Sequence, residues 1–203
     1  MSSIHSLLPV QVLIDSASKG TASRMVFSPG SPGTAMLLFE DAPPELHDFS
    51  KASLRGDKES GYVVELDPGT LVTKADGKPL VFRDPGWSVA YRPGREELAI
   101  VFRSADEEAH DSTVWRINPK STSPLPSVYF DNPTAVAYSS DGDYLAVGGS
   151  DGTVSVFRLE PTGEASEMRT VNVGGAVKAL VFEILEHQLY VANENNMLVS
   201  FFF

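Results

Sequence analysis

The chain has 203 residues, of which 42% are hydrophobic and 21% charged, and a formal net charge of −11. This composition is typical of a globular protein with a sizeable core, and the negative charge opposes general affinity for nucleic acid and anionic membranes. The absence of cysteine excludes disulfides, thiolate metal sites and cysteine nucleophiles. No apolar run approaches the roughly 20 residues that span a bilayer. We therefore expect an intracellular protein, cytoplasmic or nuclear, with neither nucleic acid nor membrane among its partners.

The chain opens with an apolar segment at residues 5–15, which we predict to be a β-strand. A signal peptide is the other reading of such a segment. It is disfavoured because the segment lacks a basic start and contains Pro9 and Gln11.

Four copies of one pattern follow, each an apolar pair that ends in an aromatic residue before a turn. The aromatic residues are Phe27, Tyr91, Tyr138 and Phe182, spaced 64, 47 and 44 residues apart. A polar insert at about residues 41–60 explains the longer first interval. A period in the forties with several short strands per unit is typical of a propeller blade. The predicted units span residues 23–83, 87–131, 134–173 and 176–203.

The third unit is the clearest, with period-two alternation at residues 134–138, 144–147 and 153–159. The dipeptides Asp141-Gly142 and Asp151-Gly152 favour tight turns between these strands. In the first unit the third strand is predicted at residues 62–66. A fourth, outer strand is predicted near residues 79–82, 127–130 and 169–173.

The third unit resembles a WD40 repeat in its aromatic first strand, Ser-x-Asp-Gly turn, small-residue second strand, Asp-Gly turn and aromatic-ended third strand. The Gly-His dipeptide of that family is missing from every unit, and Trp115-Arg116 and Phe157-Arg158 stand where the family has Trp-Asp. The resemblance implies an all-β domain over residues 1–203, built of four four-stranded antiparallel WD40-like β-propeller blades. It also implies a non-catalytic scaffold for protein–protein interaction. Without its histidine partner, Asp151 is predicted only to form a turn.

The resemblance further implies that residues 5–15 supply the closing strand of the last blade, whose own third strand ends at Phe203. Four blades are few for a WD40 ring, and an open arc would expose apolar blade faces. Three arrangements stay open: a complete four-bladed ring, an eight-bladed ring shared by a homodimer, and a larger ring completed by another protein or a further part of the chain.

The acidic residues are predicted to gather on one face, where the loops between second and third strands meet the loops between blades. The segments 40–60 and 104–112, with Asp151 and Glu194, would carry nine of the eleven net negative charges there. Such a field favours a Lys/Arg-rich segment of a protein partner, with Trp87 as an aromatic anchor. Acidic loops that only keep the protein soluble are the alternative. The candidate partner-binding residues are Glu45, Asp48, Trp87, Asp106, Glu107, Glu108 and Asp111.

No catalytic, cofactor-binding or metal-binding residue is predicted. The histidines His5, His47, His110 and His187 are expected to lie singly on loops or strand edges, without ligand spacing. No Gly-rich segment opens a helix, and no nucleophile motif is present. The alternatives to a binding scaffold are a structural half-propeller, completed by homodimerisation or by a partner's blades, and an enzyme built on a propeller.

Overall fold

The structure is a computed structural model that describes residues 10–14, 22–29, 33–40, 42–57, 61–66, 71–74, 76–80, 82, 85–102, 113–118, 123–183 and 187–203. These residues form strands and one short 3-10 turn, Phe49–Lys51, and contain no α-helix. Within this part of the chain, no helix has the length and hydrophobicity to cross a membrane.

Four antiparallel sheets follow one another along the chain, one for each repeat, and a fifth sheet is mixed. The first sheet contains β2 (Ala22–Phe27), β3 (Thr34–Phe39) and β4 (Glu45–Asp48). The second contains β7 (Gly86–Tyr91), β8 (Leu98–Phe102), β9 (Thr113–Asn118) and β10 (Ser123–Tyr129). The third contains β11 (Pro133–Tyr138), β12 (Tyr144–Gly149), β13 (Thr153–Leu159) and β14 (Ala165–Asn172). The fourth contains β15 (Val177–Phe182), β16 (Gln188–Asn193) and β17 (Leu198–Phe202), and the mixed sheet contains β1 (Val10–Ile14), β5 (Ser53–Asp57) and β6 (Gly61–Leu66).

The predicted all-β fold of blade-like sheets is confirmed. The outer strands β10 and β14 lie where the second and third units predicted them. Gly142 and Gly152 have φ of 76° and 84°, as the predicted Asp-Gly turns require. Asp151 accepts a hydrogen bond from the Thr153 N–H at 2.9 Å and forms the predicted turn.

The inner strands β2, β7, β11 and β15 border one axial cleft of about 450 Å³. Its walls are residues 26–27, 89–91, 136–138 and 180–182, with Pro29 and Ser140. These runs contain the apolar–aromatic pairs that defined the repeat. The first sheet packs on the second, the second on the third and the third on the fourth, as blades do around an axis. The described residues do not show a closed ring.

Apolar side chains fill the three spaces between successive sheets. Leu38 and Ile100 are buried between the first and second sheets, Val101 and Val147 between the second and third. Val154, Val156, Leu180 and Val191 are buried between the third and fourth. Each such side chain contributes about 1.5–3 kcal/mol through removal of its surface from water, so the alternation in the sequence fixes which face of each strand turns inward.

The first unit departs from its prediction. Its third strand is β4, whereas residues 62–66 belong to β6, which forms a hairpin with β5. Leu71 and Val72 lie beside β4 instead. Leu71 forms an antiparallel bridge with His47, and the Val72 N–H donates to the Leu46 carbonyl at 2.8 Å. The predicted outer strand at 79–82 is reduced to a bridge between Thr73 and Pro79. The short connection between β3 and β4 explains the difference, because closing a short loop costs less chain entropy than closing one of twenty residues.

The prediction that residues 5–15 close the last blade is wrong for β1. This strand pairs in parallel with β6, from Val10 opposite Tyr62 to Ile14 opposite Leu66. Residues 5–9 and 15 lie outside the described part of the chain. Since β5 occupies one edge of β6, the other edge is available to a β-branched segment such as β1. Among the residues that the structure describes, the fourth sheet therefore has three strands, not the predicted four.

Two glycines test whether the turn between β11 and β12 is held by a close approach to the second sheet. Gly142 and Gly94 both have positive φ, 76° and 68°. A Cβ on Gly142 would lie 2.7 Å from the Pro93 carbonyl oxygen, whereas one on Gly94 would meet nothing within 4 Å. We expect Gly142→Ala to lower the free energy of unfolding by about 2–4 kcal/mol and Gly94→Ala by about 1 kcal/mol. Urea denaturation measures both, and equal losses would contradict the close approach.

Candidate functional site

The candidate site is a cavity of about 450 Å³ between the first and second sheets, at the loop face. We define the loop face as the end of the blades that carries the β3–β4 connection and the start of β7. The cavity is lined by Ser23, Arg24, Phe39, Glu40, Pro85, Gly86 and Trp87.

Strand ends position these side chains. Ser23 and Arg24 are the second and third residues of β2, Phe39 ends β3, and Trp87 is the second residue of β7. A Cβ on Gly86 would lie 2.8 Å from Leu38 Cδ2, so glycine lets β7 approach β3 at the base of the cavity. The Ser23 hydroxyl donates to the Leu38 carbonyl at 3.3 Å, which ties β2 to the same place.

The cavity combines an aromatic ring with charges of both signs. Trp87 is 50% exposed, and Glu40 and Arg24 are both exposed. An indole face attracts cations through its quadrupole, and a nearby carboxylate adds Coulomb attraction. The cavity can therefore hold a guanidinium or ammonium group against Trp87 and Glu40. The sequence analysis placed Trp87 in the loop before the second unit and did not single out Glu40 or Arg24. The contact between β2 and β7 that forms the cavity cannot be predicted from the residues of either strand.

Glu45 does not belong to the loop-face surface that the sequence predicted. It lies in β4 and is buried, and its Oε2 is 3.1 Å from His47 Nε2. His47 is buried in the same strand, so the prediction that it belongs to a loop at residues 40–60 is wrong. Both residues lie in β4, which occupies part of the segment 40–60 where a long acidic loop was predicted.

Asp48 lies at the opposite end of the blade from the loop face. It is paired with Thr34, next to the turn between β2 and β3. It caps the turn Phe49–Lys51 and accepts from the Ser50 N–H at 3.0 Å and the Ser50 hydroxyl at 2.6 Å. These hydrogen bonds from Ser50 lower the pKa of Asp48, although burial acts against them. Asp48 is therefore a capping residue, and the predicted count of charges on the loop face is wrong.

The remaining predicted partner-binding residues, Asp106, Glu107, Glu108 and Asp111, lie outside the described residues. His5 and His110 lie outside them as well. His187 is exposed, and its ring contacts Tyr144 and Phe203 edge-on. In the part of the chain that the structure describes, no group of three or more histidine, aspartate or glutamate side chains could hold a metal ion.

The axial cleft is mostly apolar. Its polar side chains are Tyr91, Tyr138 and Ser140. The Tyr91 hydroxyl is buried without a hydrogen-bond partner, and burial together with the charge of Glu96 raises the pKa of Tyr91. The Tyr138 hydroxyl donates to Glu97 at 2.7 Å. Neither tyrosine is activated for acid–base chemistry near neutral pH.

A buried charged cluster joins the second and third sheets, away from the loop face. Glu97 accepts from Arg92 Nη1 at 2.8 Å and from Arg116 Nε at 2.6 Å. Arg116 Nη2 lies 2.6 Å from the same carboxylate oxygen without hydrogen-bond geometry, so that contact is an ion pair. The guanidiniums also donate to carbonyls of the third sheet's turns, Arg92 to Gly142 at 2.5 Å and Arg116 to Gly163 at 2.6 Å.

Sequence reasoning missed this cluster, although one signal of it was present. Arg116 stands where a WD40 repeat has aspartate, and that departure indicated only that the family's His-to-Asp network is absent. The structure shows that an arginine–glutamate network occupies the interior of this unit, because Glu97 in the turn before β8 comes within hydrogen-bonding distance of β9.

The chain matches no protein-family model, and comparison with curated proteins gives no match.

The pKa of Glu97 gives a test of the cluster. Burial alone would raise this pKa, but hydrogen bonds from Arg92 and Tyr138 and the charge of Arg116 hold it below its ordinary value. A lowered pKa in the folded state means that the carboxylate stabilises the fold above its unfolded pKa and loses this effect as the pH falls through the folded pKa.

We expect Glu97→Gln to lower the free energy of unfolding at neutral pH by about 3–5 kcal/mol, because two buried guanidiniums lose their anion. The difference from wild type should shrink as the pH falls below the usual range of carboxyl groups. Urea titrations between neutral and acidic pH measure both effects. A difference that stays constant with pH would show that Glu97 does not act through its charge.

Proposed function

We propose that the chain is a non-catalytic protein-interaction module, built from degenerate WD40 repeats, whose loop-face cavity binds a basic segment of a partner protein. The observation that supports this proposal best is the cavity itself, in which the indole of Trp87 and the carboxylate of Glu40 line the same space. The two groups complement an arginine or lysine side chain in shape and charge.

The expected strength of this contact follows from the exposure of its groups. A cation on an exposed aromatic ring contributes about 0.5–1 kcal/mol, and an exposed ion pair about 0–1 kcal/mol. One basic side chain in the cavity is therefore a weak ligand. Tight binding would need a longer segment that covers more of the loop face, which fits a protein partner better than a free amine.

Arg24 restricts where a bound cation can lie in the cavity. Its positive charge lies on the wall of the cavity that β2 forms, so a bound cation is favoured near Glu40 and Trp87 and disfavoured near Arg24. Arg24 can donate hydrogen bonds to a backbone carbonyl of the bound segment. A single basic side chain within an otherwise neutral stretch therefore suits the cavity better than a continuous run of basic residues.

The axial cleft supports the non-catalytic part of the proposal. Valine, alanine and phenylalanine side chains form most of its wall. An enzyme with its site at the propeller axis would need polar groups there to hold and activate a substrate.

The loop-face site can be tested by binding of a glycine hexapeptide that carries one central arginine. The chain has two tryptophans, so Trp115→Phe leaves Trp87 as the single indole reporter. We expect the arginine peptide to change the Trp87 fluorescence, with affinity that weakens as salt rises. Trp87→Ala and Glu40→Gln should each weaken binding about 2- to 10-fold, measured by calorimetry in the otherwise native chain.

Trp115→Ala is the matched control, because Trp115 is 51% exposed, close to Trp87, but does not line the cavity. Its binding of the arginine peptide should equal that of the wild type. Equal binding by a glycine–glutamate hexapeptide, or unchanged affinity in Trp87→Ala, would refute the proposed site.

A second candidate function is structural completion of a larger ring by a second copy or by a partner's blades. It is favoured by the exposure of Phe27 on β2 and Val181 on β15, the inner strands of the first and last sheets. Light scattering tests the form with a second copy. We expect twice the chain mass of 21.9 kDa if two copies share a ring, and Val181→Asp should then restore the single mass. A wild-type chain that keeps the single mass at high concentration would contradict this form.

A further inference from the structure

In the described part of the chain, the fourth sheet ends at β17 with no further strand beside it. Three of the four sheets have chain beside their third strand: Leu71 and Val72 beside β4, β10 beside β9, and β14 beside β13. Among the described residues, β16 is the one strand that pairs with β17. The edge contains no charged residue and no proline, the devices with which sheets usually protect such edges.

The backbone groups at this edge can be assigned from the ladder. The Asn193 N–H donates to the Met197 carbonyl, and the Phe203 N–H donates to the His187 carbonyl. Because hydrogen-bonded positions alternate along an antiparallel pair, the odd-numbered residues of β17 face β16. The N–H and C=O groups of Leu198, Ser200 and Phe202 therefore face away from β16, and of these the Phe202 carbonyl accepts a hydrogen bond from Arg169.

The side chains follow the same alternation. Val199 and Phe201 pack against the core between the third and fourth sheets. Leu198 and Phe202 are 71% and 57% exposed, and Ser200 between them is exposed. The edge thus offers backbone hydrogen bonds flanked by two apolar side chains, which is the chemistry of β-strand addition.

One cation stands beside this edge. Arg169 on β14 is paired with Val156, whose side chain faces the fourth sheet. Its guanidinium lies 5.6 Å from the centroid of the Phe201 ring, and its Nη1 donates to the Phe202 carbonyl. A strand laid along β17 would pass next to this guanidinium, so a carboxylate on it would be attracted there.

We infer that the β17 edge binds an extended segment of a partner protein, antiparallel to β17, with an acidic residue opposite Phe201 and a β-branched residue opposite Val199. Both of these residues turn toward the third sheet, the acidic one to Arg169 and the β-branched one to Val171. The residues between and beside them turn outward over Leu198 and Phe202. The site is separate from the loop-face cavity and does not depend on the function proposed for it.

A single strand fits this place better than a second copy of the chain. Edge-to-edge antiparallel pairing of two β17 strands needs a twofold axis normal to the sheet. Both third sheets would then lie on one side of the joined sheet, and the second copy's third sheet would enter the space beside β17 where β14 and Arg169 stand.

The test uses three ten-residue peptides of alternating β-branched and polar residues, identical except for Glu, Gln or Lys at the position opposite Phe201. Calorimetry with the full chain should show the Glu peptide binding about 3- to 10-fold more tightly than the Lys peptide. Arg169→Gln should remove this preference while binding persists, a change that a merely structural role for Arg169 would not produce.

Ser200→Pro and Ser200→Ala form the matched pair of variants. Proline removes the outward N–H at an edge position whose backbone makes no bond to β16, so Ser200→Pro should lose binding while its melting temperature stays near that of the wild type. The Ser200 hydroxyl accepts from Gln188 Nε2 at 2.9 Å, and this exposed bond is lost in Ser200→Ala as well, so the pair of variants isolates the N–H. Ser200→Ala keeps the N–H and should bind as the wild type does. Both variants should still bind the arginine hexapeptide.

Hydrogen exchange gives a readout that needs no variant. The Glu peptide should slow exchange of the Leu198, Ser200 and Phe202 amides, whereas the Val199 and Phe201 amides should change little. Unchanged exchange at the three outward amides would overturn the inference, as would the absence of binding by all three peptides or wild-type binding by Ser200→Pro. A wild-type dimer that Ser200→Pro splits would assign the edge to a second copy and overturn the inference equally.

Discussion

Glu97 between two guanidiniums is the contact on which the arrangement of the central blades depends. A buried carboxylate costs several kcal/mol in desolvation unless charge and hydrogen bonds offset that cost. Arg92, Arg116 and Tyr138 provide both, and they come from two different sheets. The cluster is satisfied only when the second and third sheets stand at one separation and one rotation. The cluster therefore specifies the separation and rotation of the two sheets. Apolar packing alone would determine this geometry less strictly.

The same constraint separates the parts of the molecule that hold shape from those that can bind. The cluster and the apolar spaces on both sides of it fix the inner strands around the axial cleft. The two binding sites that we propose lie where this packing stops. One is the loop-face cavity, where Gly86 lets β7 approach β3 and the Trp87 indole stays half exposed. The other is the β17 edge, where Ser200 and its neighbours direct backbone groups away from the sheet. The two sites favour opposite charges, the first a cation beside Glu40 and the second a carboxylate beside Arg169.

Several features of the molecule could be predicted from the sequence because they depend on neighbouring residues. Period-two alternation located most strands of the second, third and fourth sheets, and the turn at Gly142 follows from the need for positive φ. The prediction of the third strand in the first unit was wrong because two segments with strand-like alternation compete for the place beside β3. Local pattern does not distinguish them, and the shorter connection to Glu45–Asp48 prevails. Of the candidate site, Trp87 was identified from its residue type, whereas Glu45 and Asp48 were assigned to a loop that the structure replaces with a strand and a cap.

The sequence by itself determined that this protein is built of repeated antiparallel sheets and where most of their turns lie, because strand period and turn chemistry act over a few residues. Only the tertiary structure decided which partner each strand takes and which charges meet. Val10–Ile14 lies in parallel beside Gly61–Leu66, and Glu97 meets Arg116 from another strand. The choice of partner depends on the free energies of pairing between segments that are far apart in the chain. The residues next to either segment do not indicate which partner it takes.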